Sequence, residues 1–332
     1  MKRIKNYDEY KSSKKSPFLF SPTDISINDD AFHGSEAPRY TEWWYFDAVF
    51  ENRYSIQMSI RVLSIIKNRL VLIFQRLDIY KDGRLVKHVK KRFTLKKFQA
   101  ASDLPLVKLD GKKVLEGHID KANGKWIYNL LFEIDNTSAN LKFEGITKGW
   151  KGTNPGGDWW AVILPKADVT GKIKVNNKEI DVKGTGYHDH NWDVRASAAR
   201  INHGWFWGKI NSKNYTITWA TIFKTHDLGQ PLMIINKIND GYINIKPENI
   251  SFIGDDLRLD HKKYIPYRFI LQGKNDKIDL NFQMKVLDIH HVKMMLRMNY
   301  WRFHALCNGY IKINSKKEVI KETHIAEFLR FK

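Results

Sequence analysis

Lys172-Ile-Lys-Val-Asn-Asn-Lys-Glu-Ile-Asp-Val-Lys-Gly-Thr-Gly-Tyr-His-Asp-His-Asn-Trp192 is the stretch on which the reading of this chain turns. Lys172–Val175 and Glu179–Val182 flank Asn176-Asn177, a pair that favours the tight turn of a β-hairpin. The returning strand runs straight into Gly184–Trp192, where two glycines precede a tyrosine, two histidines, a carboxylate, an amide and an indole. On a strand, successive side chains alternate faces. Tyr187, Asp189 and Asn191 therefore share one face, and His188, His190 and Trp192 share the other. Gly184 and Gly186 permit positive φ or close backbone approach just before the polar run. The bland alternative is a polar turn between strands.

The same style extends in both directions. Tyr54, Ile56, Met58, Ile60 and Val62 alternate with other residues, the period of a half-buried strand. Leu70–Tyr80 follows, and Asp82-Gly83 and Asn123-Gly124 mark further hairpins. In the second half Gly204–Ile210 pairs with Tyr215–Phe223, Tyr267–Leu271 with Lys277–Val286, and Gly309–Ile313 with Val319–Phe328. Helix signals are scarce; Val292–Phe303 reads as a short helix or a basic, apolar loop. Many hairpin-linked strands predict an all-β chain. Their number exceeds one small barrel, so two antiparallel β-barrels packed side by side and meeting near residues 190–205 are expected. The boundaries are a basic N-terminal arm over 1–17 with no regular structure, a first barrel over 18–195 and a second over 196–332.

Composition narrows the classes. Of 332 residues 42% are hydrophobic, enough for a sizeable core, and there are 11 tryptophans, a residue that gathers where an apolar body meets a polar edge. The formal net charge is +20, spread along the chain and mostly lysine. No compact Arg-rich tract or RNA-binding signature accompanies it. Compositional bias ranks first as its cause, attraction to an anionic membrane surface second, and nucleic acid is not expected. Cys307 is the single cysteine, so a reducing, cytoplasmic setting is expected. Met1–Asp8 lacks the apolar segment of a secretory leader, and no stretch approaches the roughly 18 apolar residues of a membrane-spanning helix. The chain reads as cytoplasmic, with a peripheral membrane association.

Two further clusters carry chemistry: Tyr40-Thr-Glu-Trp-Trp-Tyr-Phe-Asp47, and Asp158-Trp-Trp-Ala-Val-Ile-Leu-Pro165. His188-x-His190 puts two imidazoles on one face, as some metal sites do, with His203, His33 or Asp189 to complete it. No third ligand stands at a diagnostic spacing, and no metal is assigned. A nucleophile elbow is absent, and Gly152–Gly157 lacks the Lys-Ser/Thr of a phosphate loop. What remains is carboxylates and histidines among tryptophans. A carboxylic acid in an apolar pocket tends to stay protonated and can donate near neutral pH, and aromatic faces stabilise a developing cation. Protonating an unactivated C=C bond needs both.

Glu42-Trp-Trp-Tyr-Phe-Asp47, Trp160-Ala-Val-Ile-Leu-Pro165 and Gly186-Tyr-His-Asp-His-Asn-Trp192, in this order, resemble the carotenoid 1,2-hydratase (hydroxyneurosporene synthase) and AttH-like family. Fungal kievitone hydratase and lipocalin-like pericyclases look like relatives. The likeness runs from about Phe18 to the end and is specific in these three motifs. It implies two lipocalin-like barrels with a pocket between them and no cofactor. It also implies catalytic His-x-Trp and Tyr-x-Asp pairs. The second falls on Tyr187 and Asp189, and the tryptophan of the first on Trp160. Its histidine falls on Asp158, a departure.

The expectation is thus an enzyme that adds water to a double bond of an isoprenoid-type lipid, a carotenoid or a polyprenyl-chain membrane lipid. Asp189 is the general acid, Tyr187 and His190 orient the acid or the water, and His188 and Trp160 complete the catalytic set. Glu42, Trp43, Trp44, Asp158, Trp192, Trp205 and Trp207 contact the substrate. An isomerase or cyclase on a similar substrate, a non-catalytic lipid carrier and metal-dependent hydrolysis are the alternatives.

Overall fold

The computed structural model describes residues 10–11, 20–66, 69–154, 156–195, 204–224, 227–293 and 298–330. The first strands are β1 (Tyr10–Lys11), β2 (Tyr40–Phe50), β3 (Tyr54–Ile66), β4 (Leu70–Lys81), β5 (Arg84–Thr94), β6 (Phe98–Ala100) and β7 (Leu106–Leu109). They are followed by β8 (Lys112–Ile119), β9 (Trp126–Ile134), β10 (Thr137–Gly145), β11 (Trp150–Thr153), β12 (Trp159–Val175) and β13 (Lys178–Arg195). The remainder are β14 (Gly204–Asn211), β15 (Tyr215–Lys224), β16 (Asp227–Lys237), β17 (Tyr242–Ile245), β18 (Ile250–Asp260), β19 (Lys263–Lys274), β20 (Ile278–Lys293), β21 (Asn299–Ile313) and β22 (Lys316–Arg330). Contacts group residues 20–198 with 237–241 into one compact unit and the rest into a second.

The first unit is a sheet in the order β5-β4-β3-β2-β13-β12-β10-β9-β8-β7-β6, with β11 paired to β12. Its two edges, β5 and β6, are separated in the chain only by the 3-10 turn Leu95–Lys97. Edges so close in sequence must be close in space, so the sheet nearly closes into a barrel. Asn176 and Asn177 both sit at positive φ, 50° and 62°, the turn whose twist matches its flanking strands. Asp82 and Gly83 do the same at 55° and 82°. The interior is filled by one alternating face of each strand, including Trp44 and Phe46 of β2, Met58 and Ile60 of β3, and Ile163 of β12. Gly184 and Gly186 serve close approach, not positive φ. A Cβ on Gly184 would stand 2.1 Å from the Val49 carbonyl oxygen, and one on Gly186 2.4 Å from the Phe143 ring.

The second unit is a curled half-barrel in the order β18-β19-β20-β21-β22-β14-β15-β16-β17. Phe206 centres its core, meeting Trp219, Phe252, Phe269 and Phe328 edge-on at 5.0–5.2 Å between ring centroids, a favourable aromatic geometry. Two sequence expectations change. Tyr10–Lys11 of the basic arm pairs with Ile253–Gly254 and covers the otherwise free edge of β18. The described part of Val292–Phe303 is strand: Val292 and Lys293 finish β20, Asn299–Phe303 open β21, and the two strands pair with each other. Residues 294–297 lie outside the described residues.

Candidate active site

β13 lies between β2 and β12 in the first barrel, and its two faces carry different chemistry. Its register sets His190 opposite Trp44 and His188 opposite Phe46. Trp44 and Phe46 belong to the barrel core, so the histidine face points inward. Tyr187, Asp189 and Asn191 point outward, yet all three are buried.

On the outward face three donors converge on Asp189. The Tyr187 hydroxyl donates to Oδ2 at 2.8 Å, the Trp160 indole N–H to the same oxygen at 3.2 Å, and the Asn191 amide to Oδ1 at 3.0 Å. The register explains the set: Trp160 lies opposite Asn191, and Val162 opposite Asp189. Trp160 is fixed from behind by Trp150, edge-on at 5.2 Å, and by Phe20. Burial, the Asp189 charge and its hydrogen bond raise the Tyr187 phenol well above its ordinary value, with a further contribution from Asp47. Tyr187 is therefore a fixed hydroxyl and not a phenolate. The surroundings of Asp189 are more polar than a carboxyl kept neutral by an apolar cleft would have. The indole is there, but it offers Asp189 its N–H and not its face.

Trp43 is on the same side, half-buried, opposite Asn191, with the Arg61 guanidinium 4.9 Å over its ring. Asp158 precedes Trp160 by two residues. The Asn154 amide donates to its Oδ2 at 2.7 Å, whereas its buried Oδ1 has no hydrogen-bond partner among the described residues. Burial pushes this carboxyl above its ordinary 3.8, against the Asn154 hydrogen bond. The folded chain then binds that proton more tightly than the unfolded chain. Stability falls as pH rises from the ordinary value through the raised one. Asp158→Asn keeps the Asn154 bond through its carbonyl oxygen and removes this loss. Its melting temperature should exceed that of the parent at pH 7, and the difference should vanish near pH 3, where both chains hold the side chain neutral. Calorimetry at the two pH values checks this; an equal gain at both would exclude the cause.

The inward face holds a second polar cluster that the sequence reading merged with the first. His188 Nδ1–H faces the Tyr45 carbonyl at 2.9 Å, and its Nε2 stands 2.9 Å from Asp30 Oδ2, which also accepts from the Tyr128 hydroxyl at 2.6 Å. His190 Nδ1 faces the Asp29 carbonyl at 3.1 Å, and its Nε2 stands 3.0 Å from Glu42 Oε1. Glu42 further accepts the backbone N–H groups of His33 and Gly34 at 2.9 and 2.8 Å. Burial works against a charge on His190, but the hydrogen bond and charge of Glu42, with Asp30, outweigh it and hold its pKa up. Trp44 stacks on His190 at 4.6 Å and gives its indole N–H to the Asp30 carbonyl. Trp192 stacks on His33 at 4.1 Å. His188, His190, Glu42, Asp30, Trp44 and Trp192 are all buried, whereas His33 is exposed.

His190, His188, Glu42, Trp44 and Trp192 are thus separated by the sheet from Asp189 and cannot serve the same reacting atoms. This corrects their assignment to one site. Each imidazole is held by a carboxylate, and among the described residues no group of three such ligands is placed to hold a metal ion. His203 lies outside the described residues. Trp205 and Trp207 belong to β14 of the second unit. There the Trp207 indole donates to Glu327 at 3.1 Å, and Glu327 pairs with buried Arg302 at 3.0 Å. Sequence reasoning missed Asp30, delivered by the 3-10 turn Ile27–Asp30, and also Tyr45 and Asp47. The Ser26-x-x-Asp29 capping pattern was the available signal for the first, and the repeated Tyr-x-Asp spacing for the second.

No protein-family model matches the chain, and no curated protein matches it by sequence. Solved structures do. An AttH-like protein of Nitrosomonas europaea superposes with a TM-score of 0.68 at 14% identity, over 92% of this chain and 96% of that one. This chain has the AttH-like fold. Kievitone hydratase of Nectria haematococca matches with a TM-score of 0.56 at 12% identity, over 93% of this chain and 95% of that one. CghA matches with a TM-score of 0.53 at 11% identity, over 94% and 98%. At such identities the likeness speaks for the fold, and function has to be argued from the site.

Proposed function

We propose that the chain is an enzyme that performs acid–base chemistry on an apolar, C=C-bearing substrate, adding water to the double bond without a cofactor. The observation that carries this reading is the buried Asp189 carboxyl with Tyr187, Trp160 and Asn191 fixed on it. A buried carboxyl with a locked geometry can pass a proton to or from a reacting carbon or a water at little reorganisation cost. Protonation of the alkene forms a C–H bond and a carbocation. Water then forms the C–O bond and returns a proton to a carboxylate. Isomerisation and cyclisation share the first step and differ in how the cation is discharged. Kievitone hydratase, which shares the fold, is named for a hydration. An isoprenoid-type membrane lipid is the substrate class this reading favours, since a net charge of +20 would favour contact with an anionic membrane surface where such lipids reside.

The test is incubation of the purified protein with total lipid extract from its host, followed by mass spectrometry. A species heavier by one water, formed only with active protein, is expected. A lipid that copurifies and returns unchanged would replace the enzyme reading with the carrier reading.

A further inference from the structure

The outward face that carries Asp189 continues across the sheet, and its character changes on the way. Asp189, Tyr45, Ser59, Arg76 and Lys90 stand opposite one another in turn on β13, β2, β3, β4 and β5. In the neighbouring row Asn191, Trp43, Arg61 and Phe74 do the same. Acid and phenol at β13 and β2 give way to cations at β3, β4 and β5. Asp189 and Tyr45 are buried, Trp43, Arg61, Phe74 and Arg76 are half-buried, and Lys90 is exposed. The face therefore opens to solvent toward β5.

Two of the cations lie on ring faces. The Arg61 guanidinium stands 4.9 Å over Trp43, and the Lys90 ammonium 4.1 Å over Phe74. Phe74 is opposite Arg61 and two residues from Arg76, so Lys90 leans from its own partner, Arg76, toward Arg61. Partial loss of solvent, and then the charges of Arg61 and Arg76, hold the Lys90 ammonium below its ordinary 10.5. Asp78 accepts from Arg76 Nε at 2.9 Å and also meets His88 Nδ1 at 2.5 Å. Lys90 makes no ion pair among the described residues.

A cation on a partly exposed ring is held weakly, whereas Arg and Lys make strong charge-assisted hydrogen bonds to phosphate oxygens. A phosphate placed among the three cations would draw Lys90 and Arg61 off the rings and relieve their repulsion. The faces of Phe74 and Trp43 would then be bare for an apolar chain. A phosphate monoester carries about −1.5 to −2 near pH 7, a better match to three cations than the single charge of a carboxylate.

We propose that Arg61, Arg76 and Lys90 bind the phosphate head group of a lipid substrate whose chain runs over Phe74 and Trp43 to Asp189. Adjacent strands are about 4.8 Å apart, so Arg61, two strands from Asp189, and Arg76, three strands away, hold the phosphate on the order of 10–15 Å from it. The head group thereby fixes which of several similar double bonds in the chain is presented to Asp189.

This inference rests on the acid–base reading of the Asp189 site, and its test separates the two. Dodecyl phosphate, dodecanoate, dodecanol and inorganic phosphate are titrated into the full chain by calorimetry, each amphiphile below its micelle-forming concentration. Dodecyl phosphate is expected to bind at least about 10-fold more tightly than the other three, the worth of one hydrogen bond to a charged group, and to weaken as salt is raised. Lys90→Gln, at an exposed position, and Arg61→Gln should each lower its affinity about 10-fold, toward that of dodecanol. No binding of dodecyl phosphate, dodecanoate or inorganic phosphate binding as tightly, or equal affinity in parent and both variants overturns the subsite and leaves the acid–base reading standing. Head-group selectivity in a protein that converts nothing from the lipid extract supports the subsite and removes that reading.

Discussion

Asp189→Asn is expected to lower turnover by about two to four orders of magnitude, the usual worth of a positioned acid–base group, while the protein remains folded. The carboxyl accepts from Tyr187, Trp160 and Asn191. Asparagine fills the same volume, but its amide nitrogen cannot accept. Its nitrogen is best placed where Oδ1 stood, because Oδ2 accepts from both Tyr187 and the fixed Trp160 N–H; there it faces one donor, the Asn191 amide. The structural cost is that of one mismatched buried hydrogen bond, about 1–3 kcal/mol, visible as a modest fall in melting temperature. Tyr187→Phe is the complement: it keeps the carboxyl and removes one donor, so turnover should fall less than in Asp189→Asn. Product formed from the lipid extract is the readout, with circular dichroism as the control for folding. If Asp189→Asn loses activity only in proportion to the fraction unfolded, Asp189 is a structural residue and the proposed chemistry has no centre.

The difference between what could and could not be read from the chain lies in what each signal depends on. Hairpins announce themselves locally. Asp82-Gly83 and Asn176-Asn177 need positive φ and carry residues that tolerate it, so the strand pairs around them follow from the sequence, and with them the all-β class. The alternation of β13 is equally local, and the separation of Tyr187 and Asp189 from His188 and His190 was readable from it. Which face points into the barrel was not. That depends on the register between β13 and β2, a pairing across about 140 residues of chain, as in Asp189 with Tyr45. Without the register, a histidine next to an aspartate in sequence looks like a partner, although the sheet lies between them.

Asp30 was out of reach for a related reason. It reaches His188 across 158 positions, from a segment marked only by the Ser26-x-x-Asp29 capping pattern of a four-residue 3-10 turn, which says nothing of a partner so far along the chain. Asp47 illustrates the opposite case. Its Tyr-x-Asp spacing was in plain sight, but the run Glu42–Asp47 draws attention to its indoles, and the spacing gains meaning only when Tyr45 is known to stand opposite Asp189.

Glu42→Ala is expected to be the most damaging single truncation in the first barrel, at about 3–5 kcal/mol, the usual cost of breaking a buried ion pair from one side. Removing the carboxylate strands three groups at once: the His190 imidazole and the backbone N–H groups of His33 and Gly34. For a unit of this size the melting temperature should fall on the order of 10 °C, read by calorimetry. The pH dependence identifies the cause. In the parent, Glu42 holds the His190 pKa above its ordinary 6.5. The stability this pair contributes is complete below the ordinary value and is lost as pH rises through the raised one. In Glu42→Ala the largest favourable partner is gone and burial disfavours the imidazolium, so His190 no longer contributes in that direction. The gap between parent and variant should therefore be widest near pH 6 and narrow toward pH 9. A gap constant over this range would mean that Glu42 acts only as a cap for the His33–Gly34 backbone, with His190 neutral throughout.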